Sequence, residues 1–372
     1  MRQVYVNGYW RGNLGDDLFL RMLTARYPDV AFHIHAVRRY RAWFRDRPNL
    51  LVHATDWMVS PFGRRLDVVL RRITRDRTGL EELAKRRCLR GTDAFVVLGG
   101  SVFIETAQWI RKYRLYRDAR RRVPFLCVLG ANFGPWRTDL FLSSFREIFR
   151  ACDDVCFRDH ASLALFPQAP ACRVAPDLVF ALDVPAGQRS KTLALSIRSM
   201  AGGMGLAAWC EPYQRKMAEL VHVAVGRGYG VDLLAFCPFE RDEEAAADLL
   251  DRLAPADRVH VRCHAYHGDI DAMLSVLAAA ERIVATRFHA MVLGFCLNRP
   301  TLPVAYSDKM TQTMREIGYD GPCVPLAEIG ALDPEAVFSL PADNRLDLAS
   351  LRRGAQRHFE RLDAYLGSGG RA

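Results

Sequence analysis

Arg282-Ile283-Val284-Ala285-Thr286-Arg287-Phe288-His289, followed by Ala290 to Leu297 and then by Thr301-Leu302-Pro303-Val304-Ala305-Tyr306, is the stretch that decides the fold. Its first five residues have the make-up of a short buried strand. Arg287-Phe288-His289 reads as a turn, and the apolar run from Ala290 fits a helix that stops at Asn298 and Pro300. The chain then returns as a second strand, giving one strand–helix–strand unit of a parallel sheet. Arg287 and His289 therefore fall at the carboxyl end of a strand and in the first turn of a helix. Ligands of open α/β sheets bind at such ends, and the free N–H groups of a helix start favour anions. A bidentate cation and a titratable imidazole two residues apart suit a phosphate or carboxylate substrate that exchanges a proton. An arginine capping a neighbouring helix beside a core histidine is the competing reading.

The same pattern extends in both directions. Val4 to Tyr9 reads as a first strand, and Trp10 to Asp17 as a glycine-bearing turn opening a helix from Leu18 to Arg26. Its spacing fits neither the dinucleotide fingerprint nor the P-loop. Asp16 and Asp17 at a helix start disfavour phosphate and suit sugar hydroxyls, or simply cap the helix. Asp93 to Leu98 is a strand running into Gly99-Gly100-Ser101. Val123 to Gly130 is another, leaving through Ala131-Asn132-Phe133-Gly134-Pro135-Trp136, so glycine turns are expected at three strand ends. Asp154 to Phe157 delivers Arg158. Pro185 to Lys191 is polar and turn-rich, as a linker would be.

Beyond it the pattern restarts. Thr192 to Ile197 delivers Arg198 and a loop holding Gly202, Gly203 and Gly205; a helix from Tyr213, a strand from Gly230 to Phe236, an acidic helix from Asp242 to Leu253 and a strand from Val259 to Arg262 follow. Asp269 or Asp271 caps the helix that leads to the opening unit. Ser307 and Lys309 sit at the next strand end, and a final helix runs from about Asp347 to Leu366. The expected fold is α/β, with two Rossmann-like domains facing across a cleft: residues 1–185, residues 186–330, and a helical segment 331–372 packing back on the first domain.

At 372 residues the chain suits two domains. Half of it is apolar and a quarter charged, a globular profile. No apolar run is long enough to span a bilayer and the start has no signal-peptide layout, so a cytoplasmic protein is expected. Ten scattered cysteines without paired zinc spacing read as free buried thiols. The net charge of +10 is unevenly placed: residues 1–150 hold 29 Lys and Arg against 14 Asp and Glu. The excess lies in the runs Arg38 to Arg47, Arg64 to Arg90 and Arg111 to Arg122. Such runs attract polyanions, and with no nucleic-acid motif beside them the anionic inner face of a membrane is favoured over nucleic acid as a partner, with a solvated face that has no partner as the third reading.

One ordered set of pieces resembles a known family. Gly12-Asn13-Leu14-Gly15-Asp16-Asp17, Leu98-Gly99-Gly100-Ser101, Gly134-Pro135, Arg158-Asp159 with Ser162, Pro176-Asp177-Leu178-Val179-Phe180 and Thr286-Arg287-Phe288-His289 resemble the polysaccharide pyruvyl transferases over about residues 4 to 310. The glycine turn at Gly99 has two glycines where the family often shows three. The resemblance implies a two-Rossmann fold of the GT-B glycosyltransferase type and no metal or cofactor. It also implies transfer of a pyruvyl group from phosphoenolpyruvate to two hydroxyls of one sugar, giving a cyclic ketal and phosphate. It carries over onto Arg287 and His289 as donor and proton-transfer residues and onto Arg158 as a donor-binding arginine.

The residues themselves add Arg198, Lys309 and Ser307 on the donor side, since they stand at strand ends where a phosphate and a carboxylate can be gripped. His289 is the acid for the methylene carbon. Asn13, Gly15, Asp16, Asp17, Gly99, Gly100, Ser101 and Asn132 are expected on the acceptor side. A glycosyltransferase using a nucleotide-sugar donor is the enzymatic rival. A non-catalytic basic protein binding membrane or RNA is the rival of another class. His260, His264 and His267 with Asp269 and Asp271 match no common metal spacing, Cys156 and His160 are a nucleophile and base by distance only, and Glu240 to Asp251 reads as a solvated helix face.

Overall fold

The computed structural model describes residues 1–74, 78–184, 187–201 and 205–367, so Pro185, Gly202 and Gly203 of the expected linker and loop lie outside the described residues. The chain divides into two compact units. One comprises Met1–Trp10, Leu18–Leu178 and Gly354–Ala372, the other Arg11–Asp17 and Val179–Arg353. The division falls at Leu178 and Val179 rather than at 185, and the C-terminal segment is shared between the units at Gly354.

The first unit is built on a parallel sheet of strands β1 (Arg2–Asn7), β2 (Val30–Ala36), β3 (Leu50–Ala54), β4 (Ala94–Phe103), β5 (Phe125–Phe133), β6 (Asp154–Phe157) and β7 (Cys172–Val174), in the order β3-β2-β1-β4-β5-β6-β7. β5 is buried along its whole length, as a strand covered by helices on both faces must be. The helix Asp139–Ala151 turns Phe141, Phe145 and Phe149 inward at helical spacing, and Thr138 caps it by accepting from the Phe141 N–H. Phe145 and Phe149 meet Phe133 edge to face, and Phe149 meets Phe166 the same way at 4.7 Å between centroids. The C-terminal helices Leu348–Gln356 and Glu360–Gly367 are separated by a tight turn at Arg357–Phe359 where one helix was expected. Within this unit Asp363 receives Arg26 and Tyr27, and Tyr365 stacks on Phe125 at 4.3 Å.

The second unit repeats the plan with β8 (Ser190–Ile197), β9 (Gly230–Ala235), β10 (Val261–Ala265), β11 (Ala280–Ala285), β12 (Thr301–Ala305) and β13 (Val324–Pro325), ordered β10-β9-β8-β11-β12-β13 and parallel throughout. A short helix, Pro255–Arg258, displaces β10 from the expected Val259 start. In both units the strand order reverses beside the first strand, β1 against β4 and β8 against β11. Ligands of doubly wound sheets bind at the carboxyl ends of that pair.

One of the three expected glycine turns is strand instead, and another begins only at Gly134, whose φ is 103°. Gly99-Gly100-Ser101 continues β4 and Ala131-Asn132-Phe133 continues β5. Gly99 and Gly100 have φ of 64° and 63°, and a Cβ on Gly99 would stand 2.1 Å from the Phe19 ring. At Gly99, close packing accounts for the glycine.

Candidate functional site

In the second unit the strand ends deliver a concentrated set of charges. β8 is followed directly by Arg198 and β11 by Thr286 and Arg287, so the two arginines flank the point where the strand order reverses. The Arg287 N–H reaches Ser196 Oγ at 3.3 Å and Tyr213 Oη pairs with Thr286 Oγ1 at 2.9 Å, fixing the exit of β11. β12 is followed by Tyr306, Ser307 and Lys309.

Arg287 is 5% exposed, and its fork is engaged by two carboxylates: Nε and Nη2 reach Asp242 and Nη1 reaches Glu240. Asp242 is wholly buried and also accepts the N–H groups of Cys237 at 2.9 Å, Phe236 at 3.2 Å and Ser199 at 3.3 Å. The acidic run is therefore no uniform solvated face. Its first members turn into the protein because a buried guanidinium needs compensating charge. Burial pushes the Glu240 carboxyl up, but Arg287, Arg198 and Lys309 outweigh it and hold it below its usual range.

Arg198, 4% exposed, lies over the Tyr306 ring at 4.3 Å and has Glu240 at 3.7 Å. Lys309 Nζ stands 5.3 Å from the Phe288 ring and 5.7 Å from that of Tyr306, with no ion pair among the described residues. Ser307 is the N-cap of the helix Asp308–Glu316, yet its hydroxyl makes no capping bond and has no hydrogen-bond partner among the described residues. Burial raises the Tyr306 hydroxyl, and Lys309, Arg287 and Arg198 together pull it below its ordinary value of 10. The three cations outweigh Glu240 at the Tyr306 hydroxyl. Such a place receives an anion.

His289 sits in the first turn of the helix Phe288–Cys296, edge to face with Phe288 and 9% exposed. Its neighbour is Gly15, whose segment Arg11–Asp17 belongs to this unit. A Cβ on Gly15 would fall 1.7 Å from His289 Nδ1, so any side chain there must displace the ring. The segment is tied down by Leu14 N–H to Phe236 O at 3.1 Å, by Gly15 N–H to Asn13 Oδ1 at 3.0 Å and by the Tyr266 hydroxyl donating to Asp17 at 2.8 Å. Asp17 is fully buried and Asp16 is 8% exposed.

The remaining expected residues gather in the first unit. Arg158, 4% exposed, donates to Asp177 at 2.9 Å and to Asn132 Oδ1 at 2.7 Å, and Ser101 Oγ donates to the same oxygen at 3.0 Å. Three elements thereby fix the Asn132 amide with its NH2 as the donor end.

The family model for polysaccharide pyruvyl transferase matches residues 13–308. The chain belongs to that family. This pyruvyl transferase is accordingly a transferase of polysaccharide pyruvylation, and its matched region takes in every candidate residue except Lys309. Its fold is also that of other solved proteins. Methanocaldococcus jannaschii UDP-GlcNAc 2-epimerase in complex with UDP-GlcNAc and UDP superposes with a TM-score of 0.60 at 11% identity, covering 98% of this chain and 100% of the epimerase. Anabaena Alr3699/HepE in complex with UDP and glucose gives 0.57 at 13%, covering 99% and 98%. These likenesses concern the fold, two Rossmann-like domains of the GT-B type. No curated protein sequence matches the chain significantly.

The other constellations resolve into structure. His264 pairs with Asp232 at 2.8 Å, His267 approaches Glu243 at 3.5 Å, and Asp269 caps the helix Ile270–Ala279, so these side chains are dispersed. Burial pushes the Cys156 thiol up to about 12, which removes it as a nucleophile. All ten cysteines are free; against the expectation of burial, Cys263 is exposed and Cys88, Cys172, Cys210 and Cys323 are half-buried. Sequence reasoning missed Glu240, Asp242 and Tyr306 as members of the site. Their place in the stretches that follow β9 and β12 was the available signal.

Proposed function

We propose that this transferase moves the pyruvyl group of phosphoenolpyruvate onto two hydroxyls of one sugar, with the donor held at the ends of β8, β11 and β12. The supporting observation is the convergence there of Arg198, Lys309 and the unbonded Ser307 hydroxyl at a helix start, next to a histidine that touches the glycine loop expected to hold the acceptor. Lys309, Ser307 and the N–H groups of the helix Asp308–Glu316 take the phosphate, and Arg198 takes the carboxylate. Arg287 keeps Glu240 and Asp242 in place, and through Glu240 it orients Arg198; its role is to hold the site's charges in register.

The reaction balances as follows. His289 gives a proton to the methylene carbon while one sugar oxygen bonds to the central carbon, and the proton that this oxygen loses restores the imidazole to its protonated form. Phosphate departs as the carbon–oxygen bond to it breaks. The second hydroxyl then bonds to the same carbon, and its proton leaves with phosphate. Asn13 and Asp16 on the loop beside His289 hold the acceptor.

The helix Pro61–Ile73 supports a lipid-carried acceptor. Phe62, Leu66, Val69 and Ile73 form one apolar stripe at helical spacing, yet Phe62 and Ile73 are each 72% exposed and Val69 50%. Its polar side turns inward instead: Asp67 accepts from Arg71 and from the Leu80 N–H, both at 2.7 Å. Arg65 and Arg72 flank the stripe and are exposed. An outward apolar stripe beside arginines fits an anionic bilayer surface. No helix among the described residues is long and apolar enough to cross one.

The deciding experiment titrates the protein with phosphoenolpyruvate and with UDP-GlcNAc, then follows carbon-labelled phosphoenolpyruvate into a glycolipid fraction together with phosphate release. Labelled glycolipid and release in equal amounts, lost in His289→Ala while donor binding survives, is the expected outcome. Binding of UDP-GlcNAc without phosphoenolpyruvate binding would instead make the chain a nucleotide-sugar enzyme.

A further inference from the structure

Away from these residues, the first unit holds a compact group of ligating side chains: His33 on β2, His53 on β3 and Cys88 at the end of the helix Leu80–Cys88. Their one ligand atom each lies within 4.8 Å of the others. β2 alternates Phe32 and Ile34 into the core with His33 and His35 on the other face, and the register sets His35 opposite His53. The three imidazoles form a stacked row, His53 at 5.3 Å from His33 and 5.0 Å from His35.

The hydrogen bonds around the row determine where the lone pairs point. The Gln3 amide N–H donates to Met1 O at 3.2 Å, so its oxygen faces His33 Nε2 at 2.6 Å and must accept from it. His33 Nδ1 is then a bare lone pair, and it stands 3.0 Å from His53 Nε2. The Cys88 sulfur stands 3.3 Å from that same His53 nitrogen. If the His53 nitrogen carries a proton, it satisfies His33 and gives the thiol no acceptor. If it does not, two lone pairs face one another at contact distance. A cation that accepts all three lone pairs resolves the conflict, and the glutamine carbonyl behind His33 is the kind of support that orients a ligating imidazole.

We propose that His33 Nδ1, His53 Nε2 and the Cys88 thiolate bind a zinc-class divalent ion, with the thiol proton released to solvent and a water as fourth ligand. Two imidazoles and one thiolate are borderline-soft donors of the kind zinc takes. Zinc bonds of about 2.0 Å to nitrogen and 2.3 Å to sulfur require the two short pairs to spread by about 0.2–0.3 Å and His33 Nδ1 and Cys88 Sγ, now within 4.8 Å of one another, to settle at about 3.5 Å. All three residues are half-buried, which leaves room for the water. Bound there, the ion ties β2, β3 and the helix Leu80–Cys88 together, which makes it a structural clasp of the first unit.

The full chain, stripped with chelator, is titrated with cobalt(II) and followed by absorption. One equivalent should bind with tetrahedral d–d bands and a thiolate-to-metal charge-transfer band. Cys88→Ser should abolish the charge-transfer band, His53→Gln should weaken binding, and Gln3→Ala should weaken it about tenfold to hundredfold. Should Cys88→Ser fail to fold, X-ray absorption of the zinc-loaded wild type decides: one sulfur among four ligands supports the site, none or two overturns it. Absence of stoichiometric binding, or a charge-transfer band unchanged in Cys88→Ser, would mean that the three side chains form only a hydrogen-bonded row.

Discussion

Replacing Asp242 with asparagine should cost the second unit more than any other single isosteric change near the site. The carboxylate is wholly buried, takes two nitrogens of Arg287 and accepts three backbone N–H groups. Breaking a buried pair from one side costs about 3–5 kcal/mol, since a desolvated charge is left behind. Glu240 remains on Arg287 Nη1, so the lower end applies, about 3 kcal/mol. For a unit of this size that is a fall in melting temperature of roughly 6–12 °C. Scanning calorimetry should show the loss in one transition, with the rest of the trace unmoved. Asp242→Leu should cost more than Asp242→Asn, since it also strands the three backbone N–H groups that the carboxylate accepts. A single variant that melts within about 2 °C of wild type would refute the reasoning, because Arg287 would then have an adequate partner in Glu240 alone.

Gly15→Ala should lower kcat at least tenfold in a folded protein, since the added methyl must displace the His289 ring; steady-state pyruvyl transfer measures it, and an unchanged kcat would separate that ring position from catalysis. Lys309→Ala should raise the phosphoenolpyruvate Kd by about tenfold or more, read by calorimetry, with Lys309→Arg recovering part of the loss. Phe62→Ser with Ile73→Ser removes about 3 kcal/mol of burial and should cut partitioning onto phosphatidylserine-containing vesicles about a hundredfold in a sedimentation assay; equal partitioning would point to charge alone. His358 donates Nε2–H to Pro176 O at 2.8 Å, and burial holds it neutral down to about 3. The unfolded chain takes up this proton first, so the stability it lends is complete above about pH 6.5 and drains away towards pH 3, by about 2 kcal/mol at pH 5. Urea midpoints across that range should flatten in His358→Gln.

Much of the framework could be read directly from the chain, because each strand end carries its own local mark. Arg158, Arg198, Arg287 and Lys309 all stand just past apolar runs, and those runs became strands. What local pattern could not show was pairing. Asp242 lies in a charged run whose periodicity is that of a surface helix, and only the distant Arg287 turns it inward. Gly99-Gly100 has the composition of a turn, but the neighbouring β5 extends far enough to keep it in the sheet. In the helix Pro61–Ile73 the apolar stripe predicts a buried face, whereas the Asp67 and Arg71 contacts claim the inner side. The histidines of β2 and β3 were passed over because register, not spacing, sets them side by side.

The glycine loop Arg11–Asp17 and the remainder of its unit, Val179–Arg353, are far apart in the order of synthesis. A ribosome releases the loop early, long before β9 and the histidine helix exist to receive it. The loop must therefore wait, and the second unit is finished only when it comes home. Fragments that begin at Val179 should accordingly carry an unfilled notch beside His289, so a truncated gene is a poor route to an isolated donor-binding half.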